Sequence, residues 1–275
     1  MTQESHLDTA PQEAGTQQPV PQIAIHGVHE ALAAAGVTLD MLRHPITFFD
    51  TETTSLNPRE DEIIEFAAMR FEPNEQGTIW TLARTEHQYF VPRVEISSDA
   101  AAVHGVTNEI MASMAASGQA VSMKTRDVKT IREVFSDSLI VAHNIMFDMS
   151  FLERAFGRFR VPLDGFINTI DTVNYGKLRF PRNKVNLDAL CRVMKVSNKA
   201  RASYHGALVD TEILSRVFEK LVNPPPLADL LTETNAEPTS HEESDRVYIP
   251  SRKLVKISSE QKNAYEEFRQ SCGVG

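Results

Sequence analysis

Ile46-Thr47-Phe48-Phe49-Asp50-Thr51-Glu52-Thr53-Thr54 decides how the rest of the chain is read. Its first half is β-branched and aromatic, and reads as a short strand largely buried on both sides. The run then stops at two carboxylates separated by one threonine. Residues i and i+2 of a strand share a face, so Asp50 and Glu52 are expected to project together from the strand end. Two anions held that close repel, and an apolar strand offers little solvent to relieve them. A divalent cation between them removes the conflict. Mg²⁺ or Mn²⁺ suits all-oxygen ligands, and the sequence supplies no thiolate cluster that would favour zinc. An isolated Asp-x-Glu is more often a solvated strand end, so the assignment depends on further carboxylates elsewhere.

The chain has 275 residues and 41% hydrophobic content, enough for one good-sized core plus flexible ends. No apolar run approaches the ~20 residues of a membrane span. Residues 1–21 lack the basic-then-apolar layout of a signal peptide. Cys191 and Cys272 give no disulfide framework and suit a reducing cytoplasm. A formal net charge of −9 argues against non-specific wrapping of nucleic acid. It leaves room for an enzyme whose metals supply positive charge locally.

The order of segments gives the domain plan. Residues 1–22, rich in Gln, Pro, Glu and Thr, are expected to be a disordered tail, and 23–44 a short helical extension. Residues 45–222 form the globular domain. Its first part is an antiparallel meander: the organising strand, then Glu62 to Phe71 and Thr78 to Val91, joined through the Asn74-Glu75-Gln76-Gly77 turn. Glu65, inside an apolar strand, reads as a strand-edge or water-bonded carboxylate. Ser97 to Asp99 and Thr107 cap two short helices, and 112–126 reads as a mobile loop of small residues. A helix over Asp127 to Phe135, a buried strand over Ser138 to Asn144 and an amphipathic helix over Phe147 to Phe159 follow. A last short strand at Asn168 to Asp171 precedes helical segments near 172–178, 187–194 and 205–221. Strands first, then strand–helix alternation, imply an α/β fold with a mixed β-sheet flanked by helices. Asn223-Pro224-Pro225-Pro226 ends the domain, 223–250 is a flexible linker, and the 251–275 tail holds a marginal helix over Ser258 to Ser271 suited to binding a partner.

Two further segments supply carboxylates. Ala142-His143-Asn144-Ile145-Met146-Phe147-Asp148 puts an aspartate at a strand–helix junction. If that strand lies beside the first, Asp148 emerges at the sheet end that carries Asp50 and Glu52, where ligands of such sheets commonly sit. Tyr204-His205-Gly206-Ala207-Leu208-Val209-Asp210 places Asp210 one turn into an apolar helix and His205 at or before its start. A mid-helix Asp is unfavourable by propensity. A histidine on the flexible approach, near a carboxylate fixed on the helix, is the pattern of a movable general base beside a metal ligand.

Together these segments resemble the DEDD exonucleases of the DEDDh subclass, and most closely the epsilon-type proofreading exonucleases of bacterial DNA polymerase III. The resemblance spans about Pro45 to Leu221 and is carried by FDTETT (49–54), VHGVT (103–107), AHNIMFD (142–148), NLDALC (186–191) and YHGALVDTEIL (204–214). It implies a ribonuclease-H-like fold and a metal-dependent 3′–5′ exonuclease that releases nucleoside 5′-monophosphates from DNA 3′ ends. By resemblance, two Mg²⁺ or Mn²⁺ ions are held by Asp50, Glu52, Asp148 and Asp210, Asp50 touching both, and His205 is the general base. Thr53, Val103, His104, Asn144 and Phe147 match positions that contact the terminal nucleotide, although a local capping role for His104 is almost as good a reading. The implied partners are a single-stranded or frayed 3′ end and a polymerase subunit engaged through the C-terminal tail.

Lys177 to Arg201 also contains Arg179, Arg182, Lys184, Arg192, Lys195 and Lys199 against only Asp188. This basic run is suited to an incoming phosphodiester backbone, or is a plain solvated face. The chain departs from the family in a longer Val106–Leu139 stretch, in the N-terminal 44 residues, and in a linker without a recognisable clamp-binding motif. A free-standing enzyme trimming RNA or DNA 3′ ends therefore fits equally, and a non-catalytic member that only binds nucleic acid or a partner is a weaker alternative. A haloacid-dehalogenase-type phosphatase also opens on a strand ending in Asp-x-Asp, but has Asp where Glu52 stands and no use for His205.

Overall fold

The computed structural model describes residues 19–26, 32–33, 36–202 and 205–223. The N-terminal tail up to residue 18, the linker beyond 223 and the expected helix over Ser258 to Ser271 lie outside the described residues.

β2 (Ile46–Thr53) is the organising strand, and it runs through the middle of the sheet. On one side it pairs antiparallel with β3 (Ile63–Pro73), which pairs antiparallel with β4 (Ile79–Phe90). On the other it pairs parallel with β6 (Leu139–Ala142), which pairs parallel with β7 (Asn168–Asp171). β1 (Gln22–Ala24) adds antiparallel to the outer edge of β4, and β5 (Ala120–Val121) pairs parallel with the end of β4. The antiparallel meander and the parallel strands thus join in the mixed sheet that the sequence implied.

Seven α-helices cover the sheet among the described residues: α1 (Ser98–His104), α2 (Asn108–Ala116), α3 (Thr125–Phe135), α4 (Ile145–Phe159), α5 (Thr172–Arg179), α6 (Leu187–Val193) and α7 (Ala207–Val222). No described helix is long and apolar enough to cross a membrane. Strand alternation sorts β2 into two cores. Ile46 and Phe48 pack with Phe71, Trp80, Val217 and Phe218 beneath α7. Phe49 packs with Phe66, Phe135, Phe151 and Phe156 beneath α3 and α4. Ile46, Phe48 and Phe49 are each fully buried, as a two-sided strand requires.

Three local readings are corrected. Residues 22–24, expected at the join of a tail and a helical extension, form the edge strand β1, and Met41–Arg43 is a 3₁₀ turn. The helical reading of this stretch holds at residues 32–33, and Ile23, Ile25, Leu32 and Val37 pack on the core that holds Trp80. The expected loop over 112–126 holds the second half of α2, β5 and the start of α3. Glu65 is neither at an edge nor exposed. Its strand lies between β2 and β4, its side chain is 2% exposed, and its Oε1 lies 2.7 Å from His87 Nε2.

Candidate active site

β2 delivers Asp50 and Glu52 to the face covered by α7, where Asp210 sits in the first turn of that helix. One ligand oxygen from each of Asp50, Glu52 and Asp210 lies within 4.8 Å of the others. Asp50 stands opposite Ala67 on β3, whose small side chain leaves the carboxylate room; Glu52 stands opposite the buried Glu65. The register then shifts between Glu52 and Thr53, the irregularity that ends regular pairing at the site.

Asp148 comes to the same sheet end from the opposite face. It lies in the first turn of α4, is 2% exposed, and its Oδ1 accepts from Thr51 N–H at 3.1 Å and from Thr51 Oγ1 at 2.6 Å. Thr51 is the residue between Asp50 and Glu52, so alternation points it at α4 while its neighbours face α7. Asp148 stands outside the tight group of three carboxylates.

The electrostatics are those of a site built for cations. Burial pushes the Asp50 carboxyl well above its ordinary range, with Asp148, Glu52 and Asp210 adding repulsion. Burial together with Glu65 and Asp210 holds Glu52 at about 9. Burial raises Asp148 to about 7 against the lowering pull of the Thr51 hydrogen bonds. Asp210 is raised by burial, with Arg201 opposing. Grouped carboxylates with no thiolate or neutral imidazole among them are the hard, all-oxygen donor set of Mg²⁺ or Mn²⁺, so the residues fit the expected metals.

His205 lies two residues before α7, half-buried, with its N–H donating to Val103 O at 3.3 Å. Its Nδ1 is 2.8 Å from Nη2 of Arg201. Arg201 is a residue that the sequence analysis passed over except as the end of a basic run. It stands in a 3₁₀ turn (Lys199–Ala202), is 11% exposed, and also contacts Asp188 and both oxygens of Asp210.

The family model described as exonuclease matches residues 47–218. The chain belongs to this exonuclease family. Among curated relatives, DNA polymerase III subunit epsilon of Rickettsia felis is 30% identical over 232 residues, covering 81% of this chain and 94% of the relative. The subunit of the same name from Rickettsia conorii is 33% identical over 177 residues, 63% of this chain and 71% of the relative. Among solved structures, Exonuclease I from Methylocaldum szegediense superposes with a TM-score of 0.53 at 18% identity, over 70% of this chain and 43% of that one. That likeness shows the shared ribonuclease-H-like fold. The enzyme class read from the sequence, a DEDDh-type 3′–5′ exonuclease, agrees with the family.

Of the five residues expected to contact substrate, Thr53 follows Glu52, Asn144 and Phe147 lie at the start of α4 before Asp148, and Val103 and His104 end α1, where Val103 O accepts from His205 N–H. Thr53 is buried at the register shift, with Oγ1 donating to Ser55 O at 2.6 Å. Val103 is 52% exposed at the end of α1, a large apolar side chain left open to solvent. His104 is buried, its Nδ1 accepts from Val106 N–H at 3.1 Å, and burial lowers its pKa. That is the local role that its sequence also allowed. Asn144 is the exposed residue before α4, in the left-handed region at φ 63°, with its N–H bonded to Asp171 Oδ1 at 3.0 Å. Phe147 is half-buried against Phe151. The basic run splits. Lys177, Arg182, Lys184, Arg192, Lys195 and Lys199 are exposed, Arg179 is half-buried, and Arg201 turns inward.

Proposed function

We propose that this exonuclease removes nucleotides from DNA 3′ ends in the manner of a proofreading subunit, with two divalent cations, Mg²⁺ or Mn²⁺, as cofactors. The observation that carries the reading is the convergence of Asp50, Glu52 and Asp210 within 4.8 Å at the end of a buried strand. Oxygens of these three residues would hold the cations, and Asp148, fixed from α4 by Thr51, would add a fourth carboxylate. A divalent cation held there would supply Lewis acidity, lowering the pKa of a water and offsetting negative charge on the phosphoryl oxygens.

The chain's own groups do the rest. His205, on the short segment before α7, accepts a proton from the attacking water. The water oxygen bonds to phosphorus, the bond to the preceding 3′-oxygen breaks, that oxygen takes a proton from solvent to become the new 3′-hydroxyl, and the terminal nucleotide leaves as a 5′-monophosphate. Thr53, Val103, Asn144 and Phe147 surround the terminal nucleotide. The half-buried Phe147 and exposed Val103 give the base and sugar apolar surfaces without reading sequence. The exposed bases between Lys177 and Lys199 follow the incoming phosphates.

DNA as substrate, a cytoplasmic location and a polymerase partner are supported by relatives named as subunits of DNA polymerase III. Residues 251–275 are the proposed contact with that partner. The test is digestion of 5′-labelled DNA and RNA oligomers with Mg²⁺, with Mn²⁺ and with EDTA, using the native chain and Asp50→Ala. Metal-dependent shortening of single-stranded DNA one nucleotide at a time, lost in Asp50→Ala, is expected. Equal digestion in EDTA, or by Asp50→Ala, overturns the reading.

A further inference from the structure

One member of the carboxylate group, Asp210, already has a cationic partner. That partner, Arg201, has its side chain 11% exposed, and each arm of its guanidinium is engaged. Nε lies 2.6 Å from Asp210 Oδ1, in contact though not aligned as a hydrogen bond, and Nη2 donates to Asp210 Oδ2 at 2.9 Å. Nη1 donates to Asp188 Oδ1 at 2.6 Å. Nη2 also reaches His205 Nδ1 at 2.8 Å.

Two consequences follow from donor and acceptor chemistry. A guanidinium only donates, so His205 Nδ1 accepts here, and the proton of the neutral ring is on Nε2. A neutral imidazole in that state has no lone pair left with which to take a proton from water. Asp210, for its part, presents both oxygens to one cation in the two-pronged manner that Arg favours. These are the oxygens that a divalent cation shared with Asp50 and Glu52 would need. One side chain therefore occupies a metal ligand and the general base together.

We propose that Arg201 is an internal stand-in for the metal: a latch that holds Asp210 and His205 while no divalent cation is bound, and releases both when one enters. Asp188 is the seat to which it falls back. That carboxylate is 46% exposed, already holds Nη1, and is itself held by Asn198 Nδ2 at 2.9 Å. The guanidinium can let go of Asp210 without losing its ion pair. The proposal rests on the reading of Asp50, Glu52 and Asp210 as cation ligands.

Mn²⁺ binding, followed by the loss of the free-ion electron paramagnetic resonance signal, tests it on the full chain. Arg201→Gln removes the competing charge and should bind Mn²⁺ about tenfold more tightly, the effect of ~1.4 kcal/mol of lost competition. Its melting temperature should fall in EDTA and recover with Mn²⁺. Asp188→Asn is the second variant. With its fallback seat weakened, Arg201 stays on Asp210, and Mn²⁺ should bind several-fold more weakly. A residue that merely supported the fold would weaken Mn²⁺ binding when replaced, so unchanged or weaker binding by folded Arg201→Gln overturns the latch. If that variant does not fold, unchanged or tighter Mn²⁺ binding by Asp188→Asn overturns it. A native chain that binds no Mn²⁺ overturns the metal reading itself, and the latch with it.

Discussion

Asp148 and Thr51 are joined twice, through the Thr51 N–H at 3.1 Å and its hydroxyl at 2.6 Å. The strand that carries Asp50 and Glu52 is thereby fastened to α4 at the residue between them. Thr51→Val keeps the shape but removes the hydroxyl from a buried carboxylate. The expected cost is ~1–3 kcal/mol, read from urea unfolding in EDTA. Thr51→Ser should retain most of the stability. Equal stability of Thr51→Val and the native chain would show that the hydroxyl contact contributes nothing.

Glu52→Gln should separate activity from stability. Burial, then Glu65 and Asp210, hold that carboxyl at about 9, so at neutral pH folding must protonate it, and Gln removes that cost. In EDTA the variant is expected to gain ~0.5–2 kcal/mol, while metal-dependent hydrolysis falls by orders of magnitude. A variant less stable than the native chain would mean that the carboxylate is structural.

Stability in EDTA should depend on pH in an unusual direction. Glu52 and Asp148 titrate at about 9 and about 7 in the folded chain, above their ordinary values. The native state then binds more protons than the unfolded one, so this contribution is full at acid pH and is lost as pH rises through 7 and then 9. Saturating Mg²⁺, which favours the ionised carboxylates, should flatten the profile. A melting temperature that rises from pH 6 to 9 in EDTA contradicts the assignment.

His205→Ala is expected to lower the hydrolysis rate by ~10²–10⁴-fold. Mn²⁺ binding should survive, because no His205 atom belongs to the three-carboxylate group. Loss of binding in parallel with rate would move the histidine from base to ligand.

The segment before β2 should behave as part of the domain. Ile25 is 1% exposed in the core that holds Trp80, whose Nε1 donates to His44 O at 3.1 Å. Ile25→Ala is expected to cost ~2–5 kcal/mol of the domain's stability. An unchanged urea midpoint would mean that residues 22–26 only lie on the surface.

What the sequence revealed follows from which interactions are local. β2 was legible because its burial and its paired acids lie within one short run, and Asp148 because a buried strand leads directly into its helix. β1 and β5, at three and two residues, are too short to show alternation, and both exist only because β4 offers them an edge. Glu65 was misplaced because strand order is not written in a strand's own residues. Arg201 was missed for a related reason. Its 3₁₀ turn has no periodic signature, and its partners Asp188, His205 and Asp210 come from three places along the chain. Its spacing from His205 and Asp210, four and nine residues, was the one available hint.

The far end of α7 carries its own consequence. Asn223 Oδ1 accepts from His26 N–H at 2.9 Å, its Nδ2 donates to Ala24 O, and Glu219 Oε1 accepts from Ala24 N–H at 2.9 Å. The polypeptide's way in and way out are stitched side by side, at the opposite tip of a 16-residue rod whose near tip bears Asp210. At ~1.5 Å per residue, that rod is ~24 Å long. The entry to β1 and the exit from α7 therefore lie together at about that distance from Asp210.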